Sequence, residues 1–205
     1  MQILSPNNLT RRFFCGGLVA GTAVGFSAGS ALALTEPQAR NLVDRLVAEI
    51  NKVISSGKSE PSMIREFEKI FVRYADTSIM ARYSLGVDGR RASKSQINQF
   101  TKVFQSYIAR KYGRRFREFI GGRIEVQGSR KIKNGFEIRA VAHLKGQSPF
   151  EVTFLVSSRS GKDLFFNMFI EGVNLLLTER TEIGALLDRR KGNIDQLIAD
   201  LGSLS

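Results

Sequence analysis

The apolar residues of this chain change period twice, and that change limits the fold more than any single motif does. From Thr35 onward they recur every three or four positions, the spacing of one helix face: Ala39, Leu42, Val43, Leu46, Val47, Ile50, Val53 and Ile54. Thr35 is placed to cap that helix, Pro37 suits its first turn, and Ser56-Gly57 ends it. A second helix is expected from Pro61, with Ile64, Phe67, Ile70, Phe71 and Tyr74 as its stripe, and a short third one from Asp76 to Leu85. Ser93 caps a longer fourth helix carrying Ile97, Phe100, Val103, Phe104, Tyr107 and Ile108, and the stripe shifts after Gly113, which predicts a bend or break there.

After Gly121-Gly122 the period drops to two. Ile124 and Val126, then Phe136, Ile138, Ala140, Ala142 and Leu144, alternate with polar residues, and Asn134-Gly135 is a hairpin signal between the two runs. Gly146 to Pro149 leads into a third strand at Phe150, Val152, Phe154 and Val156. Ser160-Gly161-Lys162 leads into a fourth from Leu164 to Ile170, apolar on both faces. Residues 173–190 return to the helical period, and Asn193 caps a last helix ending near Leu201. Strands in sequence with short turns form an antiparallel meander, and strands segregated from helices make an α+β fold, here a four-stranded sheet packed against helices in a single domain over 34–205.

Residues 1–33 read differently. They hold no acidic residue, place Arg11-Arg12-Phe13-Phe14 before an apolar run from Gly16 to Ala28, and end in Ala31-Leu32-Ala33, a small-x-small cleavage pattern. The run is shorter than the roughly 20 apolar residues of a membrane span. Thr10-Arg11-Arg12 followed by Phe resembles a twin-arginine export signal, the other reading being a general secretory signal with two arginines in its basic region. Cys15 precedes the run, whereas a lipoprotein cysteine follows it. Cleavage after Ala33 removes that single cysteine and takes the formal net charge from +12 to +10 through the loss of Arg11 and Arg12. An exported, basic, cysteine-free domain points to anionic membrane surfaces or acidic protein faces as partners, and nucleic acid is not expected.

The chemistry-bearing residues are few. One Cys and one His exclude disulfide frameworks and the usual multi-His or multi-Cys metal sites, and no cofactor fingerprint is present. His143 alternates outward with Arg139 and Glu137, and the Glu66/Glu68 and Glu179/Glu182 pairs read as solvated helix faces. Arg110, Arg114 and Arg117 share one helical face, a candidate contact for an acidic partner or a lipid headgroup. What stands out is apolar excess: a strand apolar on both faces and a helix loaded with Phe and Tyr, beside a strand whose inward residues include the small Ala140 and Ala142. Large residues around small ones leave either a cavity or a close helix–sheet contact. The cavity reading places its lining at Phe100, Val103, Phe104 and Tyr107 of the long helix, at Ile138, Ala140, Ala142, Val152, Phe154, Met168 and Ile170 of the sheet, and at Val173 and Leu176 beyond it.

Phe169-Ile170-Glu171-Gly172-Val173-Asn174-Leu175, with Arg180 and Glu182 following, closely resembles the strand-to-helix signature of the MlaC family, also described as the toluene-tolerance component of an ABC transport system. Asp76…Met80-Ala81…Leu85-Gly86, the Phe/Tyr-rich helix after Ser93 and the ending Ile194 to Leu201 extend the resemblance over 35–201. It implies a periplasmic, cofactor-free carrier, expected as a monomer. Its curved antiparallel sheet and helices form an NTF2-like cone whose apolar pocket holds phospholipid tails. Its partners are an inner-membrane ABC transporter complex and an outer-membrane lipoprotein–porin complex. A hopanoid-associated branch of the family leaves another apolar cargo open, and an enzyme built on a similar cone, or an adaptor that binds only proteins, are rival readings. An enzyme would need an inward acid or tyrosine; Tyr74 and Tyr107 are the candidates, with no inward carboxylate expected beside them. Asn167, Phe166 and Asn174 depart from the Asp, Tyr and Ser common in the family at those positions.

Overall fold

The computed structural model describes residues 34–203, so the leader expected at 1–33 lies outside the described residues. Helix α1 spans Glu36–Ile54 and starts where Thr35 N–H donates to Gln38 Oε1 at 2.9 Å, with Pro37 in the first turn. Helices α2 (Glu60–Tyr74) and α3 (Thr77–Ser84) follow, the latter capped by Asp76, whose Oδ1 accepts from Ile79 N–H at 3.1 Å. Helix α4 (Lys94–Gly113) opens on a reciprocal capping box, Gln96 N–H to Ser93 Oγ at 3.1 Å and Ser93 N–H to Gln96 Oε1 at 2.9 Å. The break expected after Gly113 is a change of helix type: Arg114–Phe119 continues as a 3₁₀-helix.

The strands are β1 (Arg123–Ile132), β2 (Gly135–His143), β3 (Phe150–Ser157), β4 (Leu164–Ile170) and β5 (Val173–Asn174), in the spatial order β1-β2-β3-β4-β5 and antiparallel throughout. The sheet is therefore open and five-stranded, one strand more than expected. The extra strand arises because Glu171 and Gly172 both adopt left-handed backbone (φ 51° and 77°), which turns the chain back onto β4 before helix α5 (Leu175–Arg189) starts. Two consecutive positive φ values in a two-residue loop are the type I′ pattern that matches strand twist. The first hairpin also differs by one position: Ile132 pairs with Gly135, so Lys133-Asn134 form its loop. Gly135 begins β2 at φ 130°, where a Cβ would lie 1.9 Å from the Val156 carbonyl oxygen. Helix α6 (Ile194–Ser203) ends the described chain.

The helices form two tiers over the sheet. α1 lies on β1 and β2 and touches β3 more weakly, with α2 beside it, while α4 packs against α2, α3 and α6 rather than on the sheet. Asn51 fastens α1 to the sheet, since its side-chain amide donates to Ile124 O and accepts from Ile124 N–H, both at 2.9 Å. The α2–α3 connection covers the β4 edge, where Asp76 N–H donates to Phe165 O at 2.8 Å.

Candidate functional site: an apolar cavity between helices and sheet

Side chains from α1, α2 and the second half of the sheet enclose a cavity of about 340 Å³, within the range of roughly 300–1,000 Å³ usual for ligand sites. Leu46 and Ile50 of α1 and Phe67 and Phe71 of α2 form its helical wall. The sheet wall is Ile124 of β1, Phe150, Val152 and Phe154 of β3, and Phe165, Met168 and Ile170 of β4. Tyr112, Glu118 and Phe119, from the end of α4 and the 3₁₀-helix, join Leu144, Gln147 and Ser148 of the β2–β3 turn, and Glu171 stands at the β4–β5 turn. The walls are tied by edge-on ring contacts: Phe165 meets Phe71 at 6.1 Å and Phe154 at 5.7 Å, and Phe119 meets Phe150 at 6.1 Å. The strands and α1–α2 contribute only apolar side chains; the polar ones sit on chain reversals and at the end of α4.

Strand β4 explains how one strand lines the cavity at both an odd and two even positions. The register slips between Leu155 and Val156, which pair with Asn167 and Phe165 and leave Phe166 without an opposite residue. That bulge reverses the alternation, so Phe165, Met168 and Ile170 share the cavity face.

Four of the residues expected to line a pocket do so: Val152, Phe154, Met168 and Ile170. The others do not. Phe100 and Phe104 are fully buried with rings 5.7 Å apart, but on the part of α4 that packs against other helices, and neither lines the cavity. Val103 lies towards Gly202 of α6, and Tyr107 donates to Glu182 of α5 at 3.2 Å. Ile138, Ala140 and Ala142 do face the helices at 0% exposure, yet α1 covers them, the close-packing reading of those small residues. Leu176 is buried at the start of α5 and Val173 is 59% exposed. Arg110 and Arg114 do not line the cavity, and the side chain of Arg117 lies outside those described. Leu46, Ile50, Phe67 and Phe71 were visible as apolar stripes, but a stripe does not say which helix meets the sheet.

One expectation about acids is corrected. Glu179 is 1% exposed rather than solvated, and it accepts from Lys111 Nζ at 2.8 Å and from Tyr112 Oη at 2.5 Å, while Lys111 also bonds Glu182. Carboxylates stand beside the tyrosines, Tyr107 on Glu182, Tyr112 on Glu179, and Tyr74 on Glu49 at 2.7 Å, but none of these three acids lines the cavity. Burial first, then the negative Glu179, pushes the Tyr107 phenol up to about 12, and burial with the Glu179 hydrogen bond raises Tyr112 further. Both remain neutral hydrogen-bond donors at pH 7 and are poor proton acceptors. Burial opposes the charge on Lys111, but its bonds to Glu179 and Glu182 outweigh that and raise its pKa. The cluster fixes the end of α4, and with it Tyr112, in the cavity wall. Among the described residues no group of His, Cys, Asp and Glu could hold a metal ion, and no helix is long and apolar enough to cross a membrane.

Residues 40–203 match the sequence model of the MlaC protein family, which is most of the chain. The chain belongs to the MlaC family. A phospholipid-binding protein from Ralstonia solanacearum, solved in complex with a phospholipid, has a similar fold: TM-score 0.66 at 16% identity, over 80% of this chain and 98% of that one. In this MlaC chain the structure brings together Asn167 and Asn174, two of the positions that the resemblance marked as departures. Asn167 Nδ2 donates to Asn174 Oδ1 at 3.0 Å, while Asn167 Oδ1 accepts from Met168 N–H and Leu176 N–H. Asn174 Oδ1 in turn caps α5 through Leu177 N–H at 3.0 Å. Asn174 supplies the acceptor that the Asn167 amide requires, so the β4–α5 corner keeps these polar groups satisfied.

Proposed function

We propose that this MlaC protein is a periplasmic carrier that takes the acyl tails of a phospholipid into the cavity between α1, α2 and strands β3–β4. The observation that carries the reading is the distribution of polarity around that cavity: strand, α1 and α2 walls of aliphatic and aromatic side chains, with polar groups on the turns at Gln147, Ser148 and Glu171 and at Tyr112 and Glu118 where α4 passes into the 3₁₀-helix. A tail of about fifteen methylenes costs roughly 12 kcal/mol when exposed to water, at about 0.8 kcal/mol per CH₂. A shuttle between membranes must therefore cover its cargo, and moving a tail from one apolar environment to another requires no catalytic group. The phospholipid bound by the Ralstonia solanacearum neighbour supports the same cargo class.

In this reading residues 1–33 are a cleaved export signal of the twin-arginine type, and residues 34–205 form one lipid-binding domain working as a monomer. It receives lipid from, or delivers it to, an inner-membrane ABC transporter complex and an outer-membrane lipoprotein–porin complex, and it is not an enzyme. The deciding experiment is mass spectrometry of an organic extract of the protein purified from its periplasm, paired with uptake from labelled liposomes. Stoichiometric phospholipid in the extract is the expected result. A protein that carries none and acquires none from liposomes would sink the reading.

A further inference from the structure

The charge of the cavity edge runs against the charge of the chain. The sequence has 31 Lys and Arg against 19 Asp and Glu, yet no Lys or Arg lines the cavity, and the carboxyl groups that do are Glu118 and Glu171. Lys145, on the same turn as Gln147 and Ser148, is not among the lining residues. Glu118 has a partner of its own within the fold. Glu171 differs: it is exposed, and its side chain has no hydrogen-bond or ion-pair partner among the described residues. It also occupies the first central position of the β4–β5 turn at φ 51°, where a type I′ turn favours Asn or Gly and a longer side chain is strained. The Glu171 N–H is satisfied by Glu151 O at 3.0 Å, so the turn does not need the carboxylate to form.

We propose that Glu171 selects the headgroup: the cavity prefers a phospholipid whose headgroup carries an ammonium group, as in phosphoethanolamine, over one of net negative charge. The inference rests on the lipid-carrier reading and deepens it. With the tails among Phe71, Phe154 and Phe165, the headgroup is left at the polar edge, where Gln147 and Ser148 offer neutral hydrogen-bonding groups and Glu171 offers a negative charge. An ammonium within a few ångströms of that carboxylate is attracted, whereas an anionic glycerol headgroup brings a phosphate with nothing to offset it. At solvent-exposed dielectric such a pairing is worth about fivefold in relative affinity.

The test offers the purified protein vesicles of equal parts phosphatidylethanolamine and phosphatidylglycerol with identical acyl chains, and reads the bound lipid by mass spectrometry. The protein should come away enriched about fivefold in phosphatidylethanolamine. Glu171→Gln should bring the ratio near parity, and Glu171→Asp should keep the enrichment. Glu171→Asn should also lose the enrichment while raising the melting temperature by a few degrees, because it relieves the left-handed Glu. Equal uptake of the two lipids, enrichment in phosphatidylglycerol, or an enrichment that survives Glu171→Gln would overturn headgroup selection and leave the carrier reading standing. No uptake of either lipid would overturn both.

Discussion

Two regions of this molecule are built from the same material and end differently. Around α4, Phe100 and Phe104 are enclosed by helices α2, α3 and α6 and are buried to 1% or less. Between α1, α2 and strands β3–β4, Phe67, Phe71, Phe154 and Phe165 stand around a cavity of about 340 Å³. Aromatic content does not separate the two; what they pack against does. Helices meet helices with side-chain ridges seated in grooves, and the contact persists along both axes. A sheet twists, so a straight helix laid on it stays close over some strands and leaves others. Here α1 is tightest on β1, weaker on β2 and weakest on β3, and the cavity lies where that contact runs out. Ala140 and Ala142, on β2, lie on the covered side of that gradient at 0% exposure.

The largest effect that would break the comparison belongs to the filled region. Phe104→Ala removes a ring with no solvent access and should cost about 3–5 kcal/mol, read as a lower denaturant midpoint. The lipid bound per folded molecule should not change, because Phe104 does not line the cavity. A loss of bound lipid in the folded variant would show that α4 and the cavity are one unit rather than two.

Next in size is the polar cluster between the two regions. Glu179→Ala leaves Lys111 and Tyr112 without their shared acceptor and should cost about 3 kcal/mol. Replacing Glu179 with Leu together with Lys111 with Met should recover most of that loss, since an apolar pair of similar volume often substitutes for a buried ion pair. The cluster also sets a pH limit. The Tyr107 phenol is raised from about 10 to about 12 in the fold, so its share of stability is complete below pH 10 and is lost as pH rises toward 12. Tyr107→Phe should flatten that part of the curve of melting temperature against pH, and an unchanged alkaline slope would remove Tyr107 from the cause.

Much of the fold was legible because period and punctuation are local. Thr35, Ser93 and Asn193 mark helix starts that the structure keeps within a residue, and the inward parity of Phe136 to Ala142 holds. The cavity was half legible. Val152, Phe154, Met168 and Ile170 follow from strand alternation, but the helical wall does not, because periodicity gives each helix an apolar face without saying what faces it. Phe165 was hidden for another reason: the bulge at Phe166 reverses the alternation, and a strand apolar on both faces carries no trace of the slip. Glu179 looks solvated as one of a pair with Glu182 in a charged helical stretch, until Lys111 and Tyr112, some seventy positions earlier, are brought beside it.

The smallest effect on stability gives the sharpest comparison, because it pairs two substitutions that each add three heavy atoms, on the two sides of the α1 gradient. Ala140→Leu inserts volume where α1 already sits on the sheet and should cost about 1–3 kcal/mol through forced rotamers and displaced backbone. Met168→Phe adds volume where the wall borders empty space and should change stability by less than about 1 kcal/mol, because the added ring atoms gain contacts without displacing any. Their effects on cargo should run in the opposite order. The Phe at 168 occupies space that a tail would take and should lower the phospholipid recovered with the purified protein, whereas Leu at 140 should leave recovery per folded molecule close to that of the parent. Thermal melts of the two variants beside mass spectrometry of their extracts check both halves. Equal destabilisation by the two substitutions would mean that the space beside Met168 is not open in solution.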